Sequence, residues 1–165
     1  KVDENSKEIV GESSRAKLTL PRDLTSFYTP SEKYDTIKGE QDKGNIGYTL
    51  SRKDPDRSIY VNICTDSSDT LEEAIVFHNE HLSKGEEPFT EYTLGEYSGY
   101  RSMSYTNYWN SANDTTYRYK LNYPVGDKNV ILSCFVKLRD NSDDTTGLED
   151  ILLATLQQLE VEIKE

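Results

Sequence analysis

The chain is poor in the side chains that most often carry chemistry. Its 165 residues include two histidines, two cysteines, one methionine and one tryptophan. Both histidines, His78 and His81, sit in one short segment. Any serine–histidine–aspartate arrangement would have to draw on one of them, and nothing resembling a nucleophile elbow surrounds a serine. A glycine-rich loop of the kind that cradles phosphate is also missing. Basic residues are scarce: 19 Lys and Arg stand against 30 Asp and Glu, for a net charge of −11. Affinity for nucleic acid depends on neutralising phosphates, so no nucleic-acid partner is expected. No apolar run approaches the roughly 20 residues of a membrane-spanning helix.

The two cysteines fall in alternating segments. In Ile59-Tyr60-Val61-Asn62-Ile63-Cys64 the aliphatics share one face, and Cys64 joins Tyr60 and Asn62 on the other. In Val130-Ile131-Leu132-Ser133-Cys134-Phe135-Val136, Cys134 shares a face with Val130, Leu132 and Val136. If both strands join one sheet with their aliphatic faces aligned, the thiols point to opposite sides and cannot bond. Two free thiols are expected, with no metal site built on them and no cofactor.

Aromatic residues are concentrated. Eight of the 12 tyrosines and the single tryptophan lie between Tyr92 and Tyr123. Tyrosine pairs a rigid apolar face with one hydrogen-bonding tip, which suits a sheet core or a wet binding surface equally well. Acidity is uneven too: Asp69 to Glu96 holds eight carboxylates and one lysine. A solvated helix face explains such a run without a cation or a basic partner.

The chain starts at Lys1, and Lys1 to Ser14 is polar and without periodicity. Residues 1–15 are expected to form a flexible tether and residues 16–165 a single domain, a length suited to one core. Such a tether fits a bacterial lipoprotein whose signal and lipid-bearing cysteine have been removed. The location expected is extracytoplasmic, on a bacterial cell surface, with membrane contact only through that removed anchor.

Ala16 to Pro21 alternates as a short strand ended by proline, and residues 22 to 45 read as a long loop. Strands are predicted at Ile46 to Arg52 and Ser58 to Cys64, then a helix from Thr70 to Ser83. That helix has Asp69 as N-cap and Glu72 closing a capping box, with Leu71, Ala74, Ile75, His78 and Leu82 as its stripe. Strands follow at Thr90 to Leu94, Gly99 to Trp109, Thr115 to Tyr123 and Asn129 to Leu138, the last three as an antiparallel meander. A second helix starts at a capping box, Thr146 to Glu149, and buries Leu148, Ile151, Leu152, Leu156 and Leu159. The tail Leu159 to Ile163 alternates as an extended piece. The fold class expected is α+β, a mostly antiparallel sheet with helices packed on its faces.

A first strand ending in proline (Leu18-Thr19-Leu20-Pro21), a helix after the early hairpin, Gly99 at the start of a strand, a three-strand meander and a final helix with a Leu-Glu-Val-Glu-Ile tail occur in this order. Together they resemble the PsbP-like fold, an α/β/α sandwich, and within it the bacterial lipoprotein branch of unknown function. The resemblance covers Ala16 to Ile163 and implies a fold; it implies no activity.

His78 and His81 are three apart, where helical zinc hydrolases need four, and neither H-E-x-x-H nor H-x-x-E-H is satisfied. Asp140 to Ile151 fails as a calcium loop, because its sixth position is Thr145 and its twelfth Ile151. In the meander, Met103, Tyr105, Tyr119 and Leu121 are expected to meet as core beneath a helix. Arg118, Lys120 and Asn122 take the opposite face. That leaves Tyr108, Trp109 and Tyr117 as ligand-binding candidates at a hairpin tip. The function expected is a non-catalytic, monomeric binding or accessory domain for a protein, peptide or glycan. The alternative is a metal-dependent protein or hydrolase using His78, His81 and nearby carboxylates.

Overall fold

The structure, a computed structural model, describes residues 8–21, 36–42, 44–53, 56–107, 113–140 and 145–164. Among them the order is β1 (Glu8–Glu12), β2 (Ala16–Pro21), β3 (Thr36–Asp42), β4 (Asn45–Lys53), β5 (Asp56–Thr65), α1 (Leu71–Glu80), β6 (Thr90–Leu94), β7 (Tyr97–Asn107), β8 (Asn113–Val125), β9 (Lys128–Asp140), α2 (Leu148–Gln158) and β10 (Glu160–Ile163). The strands form a seven-stranded sheet in the order β3-β4-β5-β9-β8-β7-β6 and a three-stranded sheet in the order β1-β2-β10. All pairings are antiparallel. The fold is α+β, as its alternating segments predict.

Period-two patterning decides which face is covered. Ile46, Tyr48 and Leu50 of β4, Ile59, Val61 and Ile63 of β5, Tyr119 and Leu121 of β8, and Leu132, Cys134 and Val136 of β9 are buried on one face of the large sheet. Helix α2 lies over this inner face with Leu148, Ile151, Leu152 and Leu156 buried beneath it. The small sheet shares the same side, adding Ile9, Leu18 and Leu20 to one continuous core. At β1 the approach is close: a Cβ on Gly11 would lie 2.6 Å from Ile46 Cγ2. Helix α1 covers part of the opposite, outer face.

The inner tyrosines bond α2 through their hydroxyls. The Tyr48 hydroxyl meets Thr155 Oγ1 and the Tyr119 hydroxyl donates to Glu149. The Tyr123 hydroxyl lies 2.8 Å from the carbonyl oxygens of both Leu156 and Leu159, at the helix end where carbonyls lack intrahelical partners. Burial pushes the Tyr48 and Tyr119 phenols up from their ordinary values, so both remain neutral donors.

Several local expectations are corrected. Glu8–Glu12, inside the stretch expected to be a tether, is a strand paired along β2. Thr36–Asp42, inside the expected loop, pairs with β4. Helix α1 is capped by Thr70, whose side chain accepts from Glu73 N, and Glu73 accepts from the Asp69 N–H at 3.2 Å. The box therefore lies one residue later than expected. The helix stops at Glu80, and Leu82 is exposed. Helix α2 has no side-chain cap: Gly147 stands at its N-cap with φ 84°, a left-handed conformation that glycine adopts without a Cβ clash. The thiols behave as expected. Ile63 pairs with Cys134 and Cys64 with Ser133, so the free cysteines face opposite sides of the sheet.

Candidate functional site

The expected hairpin-tip cluster divides. Tyr108 and Trp109 lie outside the described residues. Tyr117 is not at the tip: it stands opposite Met103 and Val136, on the inner face. There the Arg101 guanidinium sits 5.5 Å from its ring centroid and 4.0 Å from that of Tyr92. Arg101 also reaches Glu149 at 3.3 Å, where the Tyr92 hydroxyl donates at 2.7 Å. Tyr117 thus flanks a closed network at the start of α2, in which each polar tip has a partner. The expected grouping of Met103 and Tyr105 with Tyr119 and Leu121 is corrected as well. Tyr119 opposes Arg101, Leu121 opposes Gly99, and Tyr105 is 45% exposed.

The two histidines do not converge. His81 Nδ1 lies 3.0 Å from the Phe77 carbonyl oxygen, and its ring stacks on Phe77. His78 turns inward against Phe89, with Nε2 3.3 Å from Glu87 O, 3.4 Å from Ser102 Oγ and 3.5 Å from Glu86 Oε2. Serine and carboxylate therefore approach the same ring nitrogen. A triad needs them on opposite nitrogens, one to take the proton and one to orient the ring. Ser102 is also buried and donates to Glu87 O at 2.6 Å. No group of three or more potential metal ligands occurs among the described residues.

The feature with unspent chemistry is a cleft of about 370 Å³ between α1 and the outer face of the large sheet. Strand register builds its floor. One row across the sheet runs Ser102, Arg118, Phe135, Asn62, and the next runs Tyr100, Lys120, Ser133, Cys64. Phe77 and His78 from α1 form the roof edge, and Phe89 closes one side. The segment after α1 seals the edge of β7 beyond β6, through Glu87 N to Met103 O at 2.9 Å and Tyr105 N to Gly85 O at 3.2 Å.

The two cations on the floor are held differently. Lys120 Nζ is 2.7 Å from Asp66 Oδ2 and 2.9 Å from Ser133 Oγ. Burial pushes Asp66 up, but the bonds from Lys120 and Ser68 outweigh it and hold the carboxyl below its usual range. Arg118 makes no ion pair with a carboxylate among the described residues. Its guanidinium stands 5.5 Å from the Phe135 ring centroid, and its Nε is buried with no hydrogen-bond acceptor among the described residues. The neighbouring Cys64 thiol is pushed up by burial, which keeps it protonated and weakly reactive.

Alternation in Thr115 to Tyr123 already set Arg118 and Lys120 on the face away from the tyrosines. A phenylalanine at position 135, on the polar side of its own strand, was the second signal. What joins them is register and the seat of α1, which are long-range facts.

Neither a protein-family model nor a curated protein sequence matches the chain. Among solved structures, it is similar to LpqN of Mycobacterium tuberculosis, described as involved in cell envelope biogenesis. The TM-score is 0.47 at 14% identity, over 93% of this chain and 90% of LpqN. Identity and TM-score are both low, and no functional step follows from the likeness. It does not name the PsbP-like family, so that resemblance stands on element order. None of the described helices is long and apolar enough to cross a membrane.

Proposed function

We propose that this chain is a non-catalytic binding domain that works outside the cytoplasm, at a bacterial cell surface, and takes its ligand in the cleft beneath α1. The observation that carries the reading is the cleft's apolar wall. Phe77 is 72% exposed on α1, and it faces a pocket that Phe89 and Phe135 also line. Leaving a phenylalanine in water forgoes roughly 1.5–3 kcal/mol of burial, so such a side chain over a concave, partly polar floor marks a binding surface. The volume falls within the roughly 300–1,000 Å³ typical of small-molecule and cofactor sites. A small molecule or a short peptide segment fits the space. The extracytoplasmic placement rests on the resemblance to the lipoprotein branch. Monomeric action accords with a fold whose core is completed within one chain.

The test is a fragment screen followed by amide shifts in ¹⁵N-labelled protein. Binders are expected to move amides of α1 and of residues 118, 120, 133 and 135 together. Shifts gathered on the inner face, or chemical turnover of a fragment that depends on His78, would contradict the reading.

A further inference from the structure

We infer that the cleft recognises a single carboxylate carried on an aromatic or branched apolar body, with Arg118 as the group that receives the carboxylate. The inference rests on the binding-domain reading above and adds the ligand's chemical class. Three features of the floor point to it.

First, Arg118 is a cation without a counter-charge. It makes no ion pair among the described residues, and its buried Nε lacks an acceptor. A buried donor left unsatisfied costs about 1–3 kcal/mol, and more when it belongs to a charged group. Arg118 also lines the cleft, so an anion bound there would supply its guanidinium with the counter-charge that the described residues do not. Chain-wide charge sharpens this. With 30 acidic residues against 19 basic ones, the available carboxylates outnumber the cations.

Second, the charge balance selects one negative charge rather than two. Lys120 is matched by Asp66 at 2.7 Å, and a further carboxylate, Glu86, lines the same cleft. Among the described residues Arg118 makes no ion pair. A dianionic phosphate monoester would bring a second charge near two carboxylates already in place. A carboxylate brings one charge and matches a guanidinium edge with two parallel hydrogen bonds.

Third, the surroundings of Arg118 are aromatic. Phe135 lies beneath the guanidinium, while Phe77 and Phe89 stand above and beside the floor. An apolar body would cover Phe77 once the carboxylate is engaged. Excluding water there also strengthens the ion pair.

A free arylalkanoic acid and a peptide ending in an aromatic residue present the same chemistry. The experiment is calorimetric titration of the intact chain with 3-phenylpropionate, N-acetyl-Gly-Phe, its C-terminal amide, and phenethyl phosphate. One or both carboxylates should bind at least about tenfold more tightly than the amide and the phosphate, about 1.4 kcal/mol in each case. The stronger of the two identifies the source. Arg118→Gln should abolish that preference, Arg118→Lys should retain part of it, and Phe77→Ala should weaken all probes without changing their ranking. The inference is overturned if amide and carboxylate bind alike, or if Arg118→Gln keeps the preference while its melting temperature shows it folded. Should Arg118→Gln fail to fold, the ranking of the four probes on the native chain, with Phe77→Ala, decides alone. Probes that bind in the cleft regardless of charge overturn the carboxylate assignment and leave the binding-domain reading standing. No binding of any probe, with fragment shifts elsewhere, overturns both.

Discussion

The two faces of the large sheet are built from the same strands and finished differently. On the inner face the hydroxyls of Tyr48, Tyr119 and Tyr123 all bond α2, and the Arg101–Glu149 pair closes the remaining gap. Apolar area is sealed beneath α2 and the small sheet. On the outer face α1 covers only part of the surface. It leaves Phe77 in solvent and Arg118 Nε without an acceptor among the described residues. Tyrosine density, the chain's most conspicuous feature, therefore marks the finished face. The proposed site lies on the other one, where Arg118 makes no ion pair among the described residues.

This contrast can be broken or sharpened by substitution. The largest effect is expected from Leu121→Ala, which opens a cavity in a fully buried position. It should cost about 2–5 kcal/mol in denaturant unfolding. A loss below 1 kcal/mol, by the same scale, would mean that the inner face is not the sealed core described. Next comes Tyr119→Phe, which removes a donor from Glu149 while keeping the ring in place. Hydrogen bonds to charged groups are worth about 1.5–3 kcal/mol, and a loss near that range is expected. If the loss is negligible, the inner network does not stabilise the fold.

A smaller, pH-dependent effect should come from Asp66. Its folded carboxyl lies below the ordinary value of 3.8. The unfolded chain therefore binds the proton more readily. The stabilisation is complete above the unfolded value and is lost as pH falls through the lowered folded value. Asp66→Asn should lower the melting temperature at about pH 6 and leave it nearly unchanged once the folded carboxyl is protonated. A deficit of equal size at both pH values would show that Asp66 acts by packing and not through its charge.

The smallest effect on stability belongs to Phe77→Ala, expected within about 0.5 kcal/mol because the side chain is largely solvated. Its effect should appear in binding instead. A large loss of stability would make Phe77 a core residue and remove the cleft's apolar wall.

Much of this fold was legible in the sequence. The strands around Ile46–Arg52, Ser58–Cys64, Thr90–Leu94 and the meander announce themselves through alternation that persists for five or more residues. So does the α2 stripe. The opposed cysteines followed from the same parity. What was not legible has physical causes. In β1 only Ile9 and Gly11 are buried, and a glycine gives no apolar signal. The caps of α1 moved by one residue because Asp69 and Thr70 are both good caps, as are Glu72 and Glu73 good closers. Register cannot be read locally. Sliding β7 against β8 exchanges Tyr105 for Arg101 opposite Tyr119, so the expected aromatic group dissolved and Tyr117 left the hairpin tip. The candidate site was half legible. Arg118 and Lys120 were set on the polar face by parity, but their separate fates depend on Asp66, Phe135 and the seat of α1, all distant in sequence.

The central claim concerns one guanidinium group, that of Arg118. In protein carrying ¹⁵N-labelled arginine, the Arg118 Nε–H resonance can be assigned by its loss in Arg118→Lys and followed while the favoured carboxylate probe is added. Saturation with the probe should move this resonance strongly and slow its exchange with water, with other arginine signals little changed. A resonance that stays in place at saturation would contradict the assignment of Arg118 as the ligand's receptor.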